Sequence, residues 1–304
     1  MANSTLLQLV TDAAGEMGVP IPATVIGNQT QNVVQLLALV NGLGNKLASE
    51  HQWQQNTVEY RFTTQFLDTT GTWTTSAATV TAIPTTAALS AGTWMATGTG
   101  IPQDTYILSV DSATQITLTN TPTIAGTAAD ILFAQTKYTM PSDFDRLIDR
   151  TDWDKSQHWE LLGPETAQQW QWLKSGFIAT GPRVRFRPLG GYFQTWPPIS
   201  SNDQMGFEYI SKYWIYATGA AAVTKARYTV DTDTCIFPDR LMVAGLKKAY
   251  YAAKGFAPQW DDEYDMALTL AKSHDAGSQT LSFAPRAADQ LISTMNLPDS
   301  GFGQ

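Results

Sequence analysis

The chain is predicted to be an α+β protein: a helical bundle carrying a small antiparallel β-layer, with an all-β module, an immunoglobulin-like sandwich or small barrel, inserted into it. Two observations predict this. Apolar residues recur at helical spacing near both ends of the described pattern, over Leu6–Met17, Val33–Leu47, Met242–Ala253 and after Asp261. Between the first and second helical pairs, the block from Gly71 to Phe133 contains no Lys or Arg and only Asp104, Asp111 and Asp130 as acids. So abrupt a loss of charge marks a module spliced into a host.

Thr5 with Gln8 spells a capping box, and Leu6, Val10, Ala13 and Met17 share one face until Gly18 and Pro20 stop the helix. A second helix is predicted from near Asn28 to Glu50, with Val33, Leu36, Leu37, Val40, Leu43 and Leu47 in one stripe. Gly42 and Gly44 inside it cost about 1 kcal/mol each relative to Ala, so a neighbouring helix is expected close by.

Val58, Tyr60 and Phe62 then alternate with Glu59, Arg61 and Thr63, and Gln135-Thr-Lys-Tyr-Thr139 alternates after the block. These are read as two strands of one host hairpin, with the module at its tip projecting outward. Within the block, Ala78–Ala82, Thr93–Thr97, Tyr106–Val110 and Gln115–Thr119 are short runs rich in β-branched and aromatic residues, separated by Gly, Pro, Asp and Ser. The block, of about sixty residues, is near the lower size limit for folding alone.

Pro141–Asp149 reads as a turn leading to a short segment rich in Asp and Arg. Gly163-Pro164-Glu165 is expected to open a helix through Trp170 and Trp172 to Gly176, with Pro at its first position. Strands are predicted at Arg183–Arg187, Gly191–Trp196 and Gly206–Ile215. Pro238 opens a long helix ending at Gly255, and Pro258 separates it from a last one, with Asp261, Asp262 and Glu263 in its first turn and Lys272 and His274 in its last, the polarity the helix dipole favours. From Gly277 to Gln304 the periodicity is lost, yet Leu281, Phe283, Leu291, Ile292, Met295, Leu297 and Phe302 make the segment too apolar for a solvated tail. It is read as an arm that orders on a partner.

Composition narrows the function. Charged residues make up 15% of the 304, against roughly 25% in an ordinary soluble domain, and aromatics 11%. Much of the surface is therefore uncharged and suited to contact. A formal charge of −8 and an isoelectric point near 4.8 argue against gripping nucleic acid through phosphates, though an acidic wall is compatible with DNA sliding past it. The single cysteine, Cys235, rules out an internal disulfide and any multi-thiolate metal site, and is read as a small buried residue. The N-terminus lacks the pattern of a signal peptide, and no run approaches the roughly twenty apolar residues of a membrane span.

No catalytic, metal or cofactor constellation is recognisable. The three histidines, His51, His158 and His274, fall in different predicted elements. His158-Trp-Glu160 lacks the Cys pair a zinc deaminase needs. Asp231-Thr-Asp233 begins like a calcium loop, but Cys235 and Ile236 stand where a ligand and a Gly are required, so a turn is expected. No phosphate loop, nucleophile elbow or dinucleotide fingerprint is present. The acid pairs Asp143 with Asp145 and Glu160 with Glu165 could flank a glycosidic bond, and Trp153, Trp159, Trp170 and Trp172 could stack on sugars, but turn acids and packing aromatics are the plainer readings.

Several motifs, in order, resemble the head-to-tail adaptor proteins of short-tailed bacteriophages, of the tail tubular protein A or tail accessory factor type. They are Thr5-Leu-Leu-Gln-Leu-Val10, Gly18-Val-Pro20, the Leu-rich second helix, Met140–Asp149, Gly163-Pro-Glu-Thr-Ala-Gln-Gln-Trp170, Phe207-Glu-Tyr-Ile-Ser211, and Asp231-Thr-Asp233 before Pro238-Asp-Arg-Leu241. The likeness covers residues 1–66 and 137–275; the Thr/Gly-rich insert departs from the compact adaptor pattern and is similar to decorations of phage structural proteins. The division expected is thus an adaptor core over 1–66 and 137–276, an inserted β-domain over 67–136, and a C-terminal arm over 277–304. The resemblance implies a non-enzymatic virion protein without a cofactor or metal, assembled in the host cytoplasm and away from membranes. It implies a closed ring of about twelve copies under the portal protein, extending a channel through which DNA passes without specific binding, and a platform for the tail nozzle protein and tail fibres. The arm, through Leu281, Phe283, Leu291, Ile292, Met295, Leu297 and Phe302, would embrace the portal. Two other readings are carried: a virion-associated peptidoglycan-cleaving enzyme using Glu160 and Glu165, and a glycan-binding module using Trp73 and Trp94 of the insert.

Overall fold

The computed structural model describes residues 3–175, 183–220, 222–256 and 261–275, and the fold is α+β. In chain order the elements are α1 (Leu6–Met17), α2 (Gln31–Glu50), β1 (Thr57–Thr63), β2 (Phe66–Trp73), β3 (Thr79–Thr81), β4 (Trp94–Gly98), β5 (Ile107–Ser112), β6 (Gln115–Leu118), β7 (Gly126–Gln135), β8 (Lys137–Thr139), β9 (Phe144–Leu147), β10 (Trp153–Asp154) and β11 (Trp159–Glu160). There follow α3 (Ala167–Lys174), β12 (Arg185–Leu189), β13 (Tyr192–Trp196), β14 (Gln204–Ser211), β15 (Ile215–Tyr216), β16 (Val223–Lys225), β17 (Thr234–Cys235), α4 (Asp239–Ala253) and α5 (Asp261–Asp275).

α1, α2, α4 and α5 share one core with the small sheet β16-β15-β17. The Thr5–Gln8 capping box forms as expected, and Gly18, at φ 66°, turns the chain out of α1. α2 starts later than predicted, because the Asn28 side chain accepts from Thr30 N (2.9 Å) in a turn that precedes the helix. The close approach expected at its glycines is found only at Gly44, and the neighbour is a strand-side aromatic instead of a helix. A Cβ on Gly44 would lie 2.1 Å from the Trp214 ring, whereas Gly42 has nothing within 4 Å. Trp214 is fixed there by its Nε1 donating to Asn45 Oδ1 (2.9 Å). Cys235 is buried, as expected, and burial pushes its thiol up to about 11. On the other side, α4 meets α5 with Gly245 against Tyr264 and Lys248 bonded to Asp261 (2.9 Å). Pro258 lies outside the described residues.

The host β-layer is larger than predicted. β1, β14, β10 and β11 form one sheet with β9 also on β14, and β12-β13-β8 form a second. The two enclose a common core, in which Phe186 and Phe193 stack at 4.8 Å and Phe193 and Phe207 at 5.0 Å. β1 does not pair with β8 as a hairpin: it lies along β14 from Thr57↔Ile210 to Thr63↔Gln204, while β8 lies on β13. The alternation of both segments is real, but period two fixes which face is apolar and says nothing about the partner strand. The two meet through side chains instead, with Phe62 and Tyr138 at 4.4 Å.

The antiparallel strand pair that gathers the ends of the insert belongs to the insert itself, β2 with β7, starting at Phe66↔Ala134. Its strands run in the order β4-β7-β2-β3-β6-β5, and the outer two meet through Gly92 N→Ile107 O and Ala96 N→Thr105 O, both 2.8 Å, so the sheet closes as a small barrel. Its interior holds Trp73, Val80, Ile83, Trp94, Ile116 and Phe133. Nor does the barrel simply project: Met95 and Tyr106 pack with Trp170, Leu173 and Trp196 of the host, and Lys174 Nζ bridges Asp104 at 2.8 Å. Apolar area on the outward face of β4 pulls the module down.

Candidate interaction surfaces

Several of the stretches that carry the resemblance meet in space. β9, from the Met140–Asp149 stretch, pairs with β14, which contains Phe207–Ser211. Across that pairing the Asp143 carboxylate accepts from Tyr209 Oη (2.9 Å) and Ser211 Oγ (2.7 Å). Burial, then the contact with Asp143, pushes the Tyr209 phenol up. At the other end of the fold, Leu6 N donates to Asp233 O (2.9 Å) and Leu7 N to Asp231 O (3.2 Å), which ties the start of α1 to the Asp231–Asp233 turn. The Asp231 carboxylate accepts from Val25 N (3.1 Å) and Ile26 N (2.7 Å). Asp233 is wholly buried and accepts from Lys225 Nζ (2.8 Å), Thr229 N and Val230 N (3.1 Å each). Burial alone would raise this carboxyl, but Lys225 and the N–H donors outweigh it and hold it below its ordinary value. The turn read from the sequence is thus a polar hub whose acceptors are taken up by the chain. Among the described residues no group of three or more His, Cys, Asp or Glu is arranged to hold a metal ion.

Three of the four acids singled out for glycoside chemistry are already engaged. Glu165 pairs with Arg185 (2.6 Å), Glu160 with Arg150 (3.5 Å), and Asp143 accepts from Tyr209 and Ser211. His51 faces Asp275 at 3.4 Å and lies far along the chain from His158. Trp73 and Trp94, proposed as sugar platforms, are 2% exposed and fill the barrel interior, so they offer no face to a ligand. Period-two alternation put them on the inward side of β2 and β4.

Aromatic surface is found elsewhere. Trp170 is core, but Trp153, Trp159 and Trp172 are 43%, 41% and 58% exposed. Outward apolar side chains also mark the barrel, at Leu108, Val110 and Ile124, and the helical bundle, at Ile21, Met266 and Leu270. Met266 and Leu270 line a hollow of about 710 Å³ beside Arg240, Asp262 and Asp265. The arm residues Leu281, Phe283, Leu291, Ile292, Met295, Leu297 and Phe302 lie outside the described residues.

One group had no sequence signal at all. Asp152 is 2% exposed with no hydrogen-bond partner for Oδ1, and burial, then the charges of Asp149 and Glu160, push its carboxyl up to about 7. An Asp between Thr151 and Trp153 reads as a loop residue, and only the packing of the β10–β14 pair buries it.

No protein-family model matches the chain, and no curated protein matches it.

Proposed function

We propose that the protein is a structural head-to-tail connector of a bacteriophage virion. It forms a ring under the portal, extends the DNA channel, and presents a platform for the tail nozzle and fibres. The observation that carries this reading is that four of the motifs of the resemblance, far apart in sequence, hold one another in pairs. Asp143 bonds to Tyr209 and Ser211, and Asp231 and Asp233 bond to the start of α1. A likeness carried by residues that bind each other is a likeness of scaffold, as expected where the function is contact and not chemistry.

The uncharged, aromatic-bearing surface supports the same reading, since interfaces are depleted of charge and enriched in Trp and Tyr. The net charge of −8 is compatible with DNA passing an acidic wall without adhering. No helix among the described residues is long and apolar enough to cross a membrane. In this reading the protein is not an enzyme and acts in the virion neck, with the 277–304 arm on the portal.

Electron microscopy and mass measurement of the purified chain, alone and mixed with its portal, test it. Rings are expected in the mixture, and a chain ending at Gly277 should keep its circular dichroism but lose portal binding. A monomer indifferent to portal would overturn the reading.

A further inference from the structure

The short hairpin β10–β11 and the segment 197–203 enclose a groove of about 260 Å³ that the connector reading leaves unused. Asp154 and Trp159 stand opposite each other across the hairpin, so their side chains leave the same face. Trp159 is 41% exposed beside the groove, and Pro197, Pro198 and Ile199 form the facing wall. Leu161 and Val184 also line it. Half of the residues lining the groove are thus apolar.

The other half is polar: Asp154, Gln157, Glu160, Ser200, Ser201 and Asp203. Asp154 is 4% exposed, and its Oδ1 accepts from Ser156 N (2.9 Å) and Gln157 N (3.0 Å), which fixes the carboxylate; its second oxygen makes no hydrogen bond among the described residues. Asp203 is held the same way, by Ser201 Oγ on Oδ2, with Oδ1 unengaged among the described residues. Both acids line the groove. Burial, and then the neighbouring Asp203, push the Asp154 carboxyl up.

We propose that this groove binds a pyranose sugar unit, its C–H face stacked on Trp159 and its hydroxyls donating to the unengaged oxygens of Asp154 and Asp203. A sugar ring presents one apolar face and an edge of hydroxyl donors, which matches an indole and proline wall with two acceptors at the rim. The volume lies just under the roughly 300 Å³ where pockets for drug-sized ligands begin, so the groove holds about one ring. A lysine ammonium would also be drawn to an indole and two acids, but it is a compact point charge and would leave the Pro197–Ile199 wall uncovered. The site is independent of the insert, whose tryptophans face inward.

Isothermal titration calorimetry on the whole chain with chitotriose, cellotriose and maltotriose, and with trilysine as a cationic probe, tests the assignment. At least one saccharide should bind with Kd on the order of 1 mM. Trp159→Ala should weaken it roughly tenfold or more, whereas Trp153→Ala and Trp172→Ala leave it unchanged. Trp159 is surface-exposed, so its variant should keep the wild-type circular dichroism. No heat from any of the three sugars, or sugar binding that survives Trp159→Ala, overturns the proposal. Binding of trilysine in place of the sugars would assign the groove to a cation, and equally overturn it.

Discussion

The helical core and the inserted barrel hold themselves together by opposite means. In the helical core, charges are buried and paired: Asp233 with Lys225, and Lys247, 3% exposed at its side chain, with Glu16 and with Glu263 at 2.8 Å. In the barrel no Lys or Arg exists to pair with, and hydroxyls do the work. Thr86 donates to Ser112 O (2.7 Å), Thr105 to Pro102 O (2.6 Å), and Ser109 and Thr117 to the exposed Asp111 (2.6 and 2.7 Å). The contrast teaches that a module can be made charge-poor without leaving polar groups unmet, because a hydroxyl both donates and accepts and needs no counter-ion. The barrel's stability should then depend little on salt and pH, and that of the helical core should depend on its ion pairs.

The sharpest way to break the contrast is to remove one acid from each region. Asp233→Ala leaves Lys225 and several N–H donors unmatched in a buried site and should cost about 4 kcal/mol in urea unfolding. Asp111→Ala, in the barrel, should not move the urea midpoint measurably. A comparable loss from both would end the distinction. Next in size is Gly44→Ala, which drives a methyl into the Trp214 ring and should cost about 3 kcal/mol. Near-UV circular dichroism should report the displaced indole, and an unchanged spectrum would mean that Trp214 is not where the packing puts it.

The host β-layer adds a pH arm. The Asp152 carboxyl, ordinarily at 3.8, is pushed up to about 7 in the fold, so the folded chain binds that proton more tightly than the unfolded one. The contribution of Asp152 to stability should therefore be greatest below about pH 4, fall as pH rises to about 7, and level off above. Asp152→Asn should flatten that slope and gain about 2 kcal/mol at pH 8, roughly half of what the shift would give at about 1.4 kcal/mol per unit, because the amide must still be buried. Chemical unfolding at several pH values measures it; a parallel slope in wild type and variant would refute the assignment. The smallest effect is at the seam. Lys174→Ala removes the bridge to Asp104 and should cost about 0.5 kcal/mol while raising amide exchange along β4, where the barrel rests on α3. Exchange confined to the seam, with the barrel interior still protected, would separate docking from folding.

Legibility in the sequence followed the range of the forces. The Thr5–Gln8 box, the stop at Gly18, the start of α4 after Pro238 and the barrel strands β3 to β6 were all readable, since capping bonds and period-two or 3.6 patterns act within a few residues. The helix expected at Pro164 begins instead at Ala167, where Thr166 and Gln169 make their own capping box, so a nearer local signal overruled a weaker one. The site was less legible. Trp159 was noted in the sequence only as one of four nearby tryptophans, and nothing distinguished it from Trp170, which is buried. Asp203 carried no pattern at all.

What the sequence by itself determined is local: where helices start and stop, which faces are apolar, and that residues 71–133 form a charge-poor β-module. These follow from hydrogen bonds and side-chain spacing within one or two turns of chain. Tertiary structure alone decided that β1 pairs with β14 and β8 with β13, that the barrel closes on itself and settles on α3, and that Asp154, Trp159 and Asp203 line one groove. Strand partners and groove walls are chosen by which apolar faces can be buried together, and that depends on segments far apart in the chain.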